Sequence, residues 1–210
     1  MKLAPKANTK DHLLDIAERH FALFGFAGTS LRGIIKEAKV NVAAVAYHFG
    51  SKDDLFSAVI ERFALPVVEQ QLQQLSTERK KNKPSLRGVL LAFYGPPIRL
   101  VKSLGAKGDM LALFLGRAQT EPDPIYTLID KHYSYCRNQF IDAFRDLLPG
   151  RTDAEYQWQF EFMLSMIVCF LTRQKPIRKR YEDSDEWDID ETIDRLIRFC
   201  EAGMKASGDK

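Results

Sequence analysis

Between Thr29 and Lys52 the sequence TSLRGIIKEAKVNVAAVAYHFGSK combines hydroxyls, lysines, a phenol and an imidazole at helical spacings. Such groups suit noncovalent contact with a polar surface rather than bond making. The chain of 210 residues holds no GxxxxGK[ST] loop, GxSxG elbow, HExxH pair or GxGxxG turn, so local catalytic signatures are absent. His12, His20, His48 and His132 are scattered, and Cys136, Cys169 and Cys200 are odd in number and far apart. That spacing argues against zinc and against a disulfide framework, and for buried reduced thiols. No catalytic residue, metal or cofactor is expected, and an enzyme would need a site assembled from distant residues. Within residues 42–49, Val45 and Phe49 share one helical face and turn inward, which leaves Val42, Ala43, Ala44, Tyr47 and His48 facing outward. An outward face with so little bulk can come close to base edges in a major groove.

Holding that face in place requires three short helices and a long one. TKDHLLDIAERHFALFG, residues 9–25, starts at a capping Thr, spaces Leu13, Ile16, Ala17, Phe21 and Phe24 helically, and ends at Gly25. LRGIIKEA follows, capped by Thr29 or Ser30, with Leu31, Ile34 and Ile35 inward. KVN is a turn with Val40 as its apolar plug, and Asn41 caps VAAVAYHF. Residues 30–38 and 42–49 therefore form a helix-turn-helix pair, whose second helix projects into DNA. Ser51 caps a long fourth helix, with Asp53 and Asp54 in its first turn. Phe21, Phe24, Leu31, Ile35, Val45 and Phe49 are the expected small core. Residues 1–52 carry eight Lys and Arg against four Asp and Glu, and the rest of the chain 23 against 24, so the basic excess lies on the N-terminal unit.

The motif TS…I…V…YHF.SK, carried by Thr29, Ser30, Ile34, Val40, Tyr47, His48, Phe49, Ser51 and Lys52, resembles the TetR family of one-component transcriptional regulators. The match covers roughly residues 9–62. More narrowly, NVAAVAYHFGSK, AVIERF and the ending EAGMKASG look like a subgroup of fatty-acid-sensing regulators. The resemblance implies that Thr29, Tyr47 and Lys52 grip phosphates, that the helix start at Ser51 adds an anion site, and that Val42, Ala43, Ala44 and His48 lie near the bases. Ser30 and Lys39 complete the implied DNA-binding set. Lys39 stands where the family often has glycine, which implies either strain at a positive φ or an added phosphate contact. Ala46 stands where a larger side chain is common. Bland readings remain beside these: Tyr47 as cover for the core edge, Lys52 as a solvated charge, and His48 as a packed histidine.

The fold class is all-α: an N-terminal three-helix helix-turn-helix domain, residues 1–55, and a larger helical bundle, residues 56–210. After the polar hinge STERKKNKPSLRG, apolar periodicity predicts helices over about 85–94, 97–104, 108–119, 123–148, 153–174 and 188–206, separated by GPP, LGAKG, TEPDP and LPGRT. RQKPIRKRYEDSDEWDIDE, residues 173–191, is expected to be an exposed charged loop. Phe93, Met110, Phe114, Tyr133, Phe140, Phe162, Met166 and Phe170 recur on the inner helices; they are core, or they open into a pocket for an apolar ligand. The resemblance implies the pocket, a small apolar effector such as a fatty acid or acyl-CoA, release from a palindromic double-stranded operator, and repression. It also implies a homodimer through the last two long helices. No run is long enough to span a membrane and no secretory leader is evident, so a cytoplasmic protein is expected. The competing reading is an architectural or interaction protein on DNA that uses the charged loop to hold a protein partner.

Overall fold

The computed structural model describes residues 9–181 and 188–206, which form α1 (Thr9–Gly28), α2 (Leu31–Ala38), α3 (Val42–His48), α4 (Lys52–Arg79), α5 (Leu86–Ser103), α6 (Ala106–Ala118), α7 (Ile125–Leu147), α8 (Asp153–Tyr181) and α9 (Ile189–Ala206). No strand occurs among the described residues. α1, α2, α3 and the start of α4 pack around Leu13, Phe21, Ile34, Val45, Phe49, Leu55 and Phe56, all buried. α5 runs through the middle of the larger bundle, against α4, α6, α7, α8 and α9. Its Tyr94 is fully buried, with its hydroxyl donating to the Met163 carbonyl on α8 at 3.2 Å and lying 2.8 Å from Cys200 Sγ on α9.

In its elements and burial the structure departs from the sequence reading as follows. α1 does not stop at Gly25; it breaks there, with φ 70° and ψ 179°, and resumes to Gly28. That φ favours glycine, and a Cβ would also press on the Glu121 carboxylate at 2.9 Å. Phe24, just before the break, is not in the core but 55% exposed with its ring edge-on to His20, while Phe26, just after it, packs on the core. GPP does not separate two helices: α5 continues through Pro96 and Pro97. α8 runs on through Pro176 to Tyr181, so the first half of the expected charged loop is helical, and residues 182–187 lie outside the described residues. Cys136 and Cys200 are buried as expected, but Cys169 is exposed on α8.

The hinge after α4 is more ordered than its composition suggests. The buried Glu78 carboxylate accepts from Ser85 N and Ser85 Oγ, both at 2.9 Å, and from Lys81 Nζ at 2.5 Å. Gly88 lets α5 cross this carboxylate, because a Cβ would collide with it. α4 is thereby fixed to α5 at one end and carries the helix-turn-helix at the other.

Candidate DNA-reading head and effector cavity

Local capping builds the reading head. Ser30 Oγ accepts from Gly33 N at 3.0 Å to start α2, and Asn41 Oδ1 accepts from Ala43 N at 3.1 Å to start α3. Lys39 ends α2 in the left-handed region at φ 53°, and its N–H reaches the Ile35 carbonyl. Ser51 and Asp54 form a reciprocal capping box at the start of α4, at 3.1 Å in each direction. The box engages the amides of Ser51 and Asp54, so an anion at this helix start would meet those of Lys52 and Asp53. α2 is tied to α1 through Glu37, which pairs with Arg19 and lies 2.7 Å from His20 Nε2.

This scaffold presents Ala43, Ala46 and Tyr47 to solvent, with Tyr47 85% exposed. Ser30, Lys39 and Ser51 are exposed on the same unit. Val42 and Ala44 belong to α3, but their side chains lie outside the described residues. His48 is half-buried, edge-on to Tyr47 at 5.0 Å and tilted against Phe49 at 6.2 Å. Lys52 is half-buried, its ammonium 4.2 Å from the centre of the Phe26 ring, and burial lowers its pKa. Thr29 calls for a correction. It is buried, and its hydroxyl donates to the Gly25 carbonyl at 2.7 Å, so the side chain pins the α1 break instead of reaching outward.

The larger bundle encloses an apolar cavity of about 120 Å³ between α4, α5, α6, α7 and α8. Phe93 and Tyr133 line it, as do Gln71, Leu115 and Phe160. The other candidate pocket residues lie elsewhere, for packing reasons. Phe114 is buried against Phe56 of α4, with ring centres 5.7 Å apart, and Phe140 against Phe93 at 5.2 Å. Met110 packs on the core without lining the cavity. Phe162, Met166 and Phe170 sit along the opposite side of α8, in more open apolar grooves of about 620 and 400 Å³ shared with α9. Trp158 stacks on Phe162 there at 5.7 Å, and Trp158, Phe162 and Phe199 are 62%, 62% and 72% exposed. The lining is mainly apolar, with Asp130, Arg137 and Glu161 as its charged side chains and a thiol and a phenol besides: burial pushes the Cys136 thiol up to about 12 and holds the Tyr133 phenol well above its ordinary range.

Comparison with known proteins bears on both regions. The model of the tetR family of bacterial regulatory proteins matches residues 13–59, and that of the tetracyclin repressor-like C-terminal domain matches residues 91–203. The chain belongs to the TetR family. Among curated relatives, the probable HTH-type transcriptional regulator YttP of Bacillus subtilis is 41% identical over 58 residues, covering 28% of each chain. The HTH-type transcriptional dual regulator CecR of Shigella flexneri is 28% identical over 126 residues, covering 57% of this chain and 55% of the relative. The matched stretch thus spans between about a quarter and about half of these relatives. A solved structure of the fatty acid degradation regulator FadR from Bacillus halodurans has a TM-score of 0.65 at 12% identity, covering 95% of this chain and 96% of that one, a likeness of fold. TetR-family regulators are non-enzymatic DNA-binding proteins, which answers the enzyme reading. Among the described residues no helix is long and apolar enough to cross a membrane.

In this TetR-family chain the two regions share walls. Gln71 of α4 lines the cavity and donates from Nε2 to the Phe93 carbonyl at 2.8 Å. That carbonyl stands four residues before Pro97, which has no N–H to offer it. α6 faces the cavity through Leu111 and Leu115 and grips the reading head at its far end. Arg117 Nη2 donates to the Leu23 carbonyl at 2.8 Å, and Glu121 just beyond the helix accepts from Phe26 N at 2.7 Å. These bonds hold the two sides of the Gly25 break. The rings of Phe21, Phe26, Phe56 and Phe114 continue the joint, at 4.8 to 6.0 Å between centres. Sequence reasoning missed Gln71, Arg117 and Glu121. Only Pro97 gave a readable sign, since a proline within a helical pattern implies an orphaned carbonyl that some side chain must meet.

Proposed function

We propose that this TetR-family chain binds a palindromic DNA operator as a homodimer, represses from it, and leaves it when a small apolar effector fills the cavity of the larger bundle. The observation that carries the reading is the sharing of α4 and α6: Gln71 and Leu115 face the cavity, while Phe56, Arg117 and Glu121 hold the base of the reading head. The cavity, at about 120 Å³, is smaller than the ~300–1,000 Å³ of ordinary ligand sites. An effector must therefore widen it, pushing its walls apart. A coupling of about 1–3 kcal/mol between effector and operator suffices for regulation. Fatty acids and acyl-CoA are the effectors implied by the narrower sequence resemblance.

At the DNA, α3 carries no arginine or lysine, so base reading falls to close apolar contact. Ala43 and its neighbours let the helix backbone approach thymine methyls, while Tyr47, Lys52 and helix starts hold phosphates. Each head reads weakly, and affinity comes from two heads at fixed spacing. The exposed Trp158, Phe162 and Phe199 of α8 and α9 form the face that a second copy would bury.

Selection of bound duplexes from a random pool, followed by gel-shift titration, tests the reading. A palindromic consensus with half-sites about one turn apart is the expected outcome. Binding that persists unchanged when a ligand occupies the cavity would sink the allosteric part. A Phe162→Glu variant should sediment as a monomer and lose the palindrome while retaining its fold.

A further inference from the structure

We propose that the effector carries a cationic head, an ammonium on an apolar body, seated where α7 and α8 meet at the solvent-facing end of the cavity. The inference rests on the cavity being the effector site and names the chemistry of the head. Three charged side chains line the cavity among the described residues: Asp130 and Arg137 of α7 and Glu161 of α8. The Arg137 guanidinium is engaged by Asp130 through both terminal nitrogens, one contact being Nη2 to Oδ2 at 3.3 Å. Glu161 is half-buried beside them and has no ionic partner among the described residues. The three groups therefore sum to one negative charge facing an apolar chamber, and the carboxylate left over is Glu161.

Tyr126 lies within the electrostatic reach of all three groups. Its phenol is held above its ordinary range, first by burial and then by Glu161 and Asp130, against a smaller opposing effect of Arg137 and with a further contribution from Asp123. Tyr126 adds aromatic surface to this end, which favours a cation over a neutral or anionic head, while the buried Phe160 lines the cavity further in against Phe93. A carboxylate head, as in a fatty acid, would meet Glu161 without compensation and would have to part Arg137 from Asp130. One feature points the other way: Arg137 Nε is buried without an acceptor, and an anionic or neutral oxygen would suit it.

Three ligands with one chain and three heads separate these possibilities: octyltrimethylammonium, octanoate and octan-1-ol, titrated calorimetrically into the full-length protein. The cation should bind about tenfold or more tighter than octanoate and more tightly than the alcohol. Glu161→Gln should bring cation and alcohol to within about threefold of each other, and Glu161→Lys should reverse the order in favour of octanoate. Thermal unfolding of each variant checks the fold, and Leu164→Trp, which fills the chamber, should abolish binding of all three. Octanoate or octanol binding as tightly as the cation to the parent protein, with Leu164→Trp abolishing it, overturns the head assignment and leaves the cavity reading standing. Absence of binding by all three, or binding that survives Leu164→Trp, overturns both.

Discussion

Gln71 on α4 donates its side-chain amide to the Phe93 carbonyl on α5 at 2.8 Å, the carbonyl that Pro97 deprives of a helical partner. One side chain thus repairs a helix and ties the arm of the reading head to the cavity wall. Its Oε1 also lies 3.7 Å from Cys136 Sγ on α7, so three helices meet at this amide.

Replacing Gln71 by Leu keeps the bulk and leaves the Phe93 carbonyl buried without a donor. The expected loss is about 1–3 kcal/mol of stability, read by chemical denaturation. Adding Pro97→Ala returns an N–H to that carbonyl, and the double variant should regain much of the loss. A Gln71→Leu protein as stable as the parent would mean that the carbonyl finds another donor.

The grip of Arg117 and Glu121 on either side of Gly25 should transmit effector binding. Alanine at both positions removes the bonds to the Leu23 carbonyl and Phe26 N. The ratio of operator affinities without and with effector should then fall by about fivefold or more, with effector affinity retained. A ratio equal to that of the parent protein would assign the coupling to α4 alone.

Much of the reading head was legible in the sequence because its signals are local. Ser30, Asn41 and Ser51 each cap a helix within three residues of themselves, and Val45 and Phe49 follow helical periodicity into the core. The bundle was legible in its elements and less so in its cavity. An aromatic or methionine at helical spacing says that it is buried, not on which side of its helix a void will be. Phe114 and Phe140 are buried against rings, Phe162 faces outward, and Phe93 and Tyr133 line the cavity. Phe24 keeps the helical phase of Ala17 and Phe21 up to the break, yet stays outside because Phe26, beyond the break at Gly25, packs on the core there; a glycine does not announce whether a helix ends or resumes after it. Gln71, Arg117 and Glu121 act across 22 to 95 residues of chain, beyond any local pattern.

Lys52 and Ala43 should separate holding from reading. Lys52→Ala is expected to weaken binding to all duplexes alike and to lower the salt slope by about 1, whereas Ala43→Gln should change preference at a single base pair. If Lys52→Ala shifts the sequence preference and leaves the salt slope intact, the phosphate role fails. Lys52 must leave the Phe26 ring to reach DNA, so the variant also reports on that contact.

Lys39 occupies φ 53°, the left-handed region that disfavours a side chain. Glycine there should raise stability by about 1 kcal/mol, a gain of roughly 2–4 °C in melting temperature for a chain of this size. If DNA affinity also falls, Lys39 contacts phosphate; a protein made less stable by the glycine would show that the lysine side chain supports the turn.

The arrangement of α6 limits how this protein can acquire new specificity. Leu115 borders the chamber, and Arg117, two residues on, holds the Leu23 carbonyl. Under the proposed function, a change selected on α6 for a different ligand acts within two residues of the attachment of the DNA-reading unit. Tyr126 and Glu161 border the same chamber from α7 and α8, away from that attachment. Under the proposed function, variation at those two helices should alter what is sensed while the response is preserved, which makes them the natural place to randomise when building sensors for other molecules.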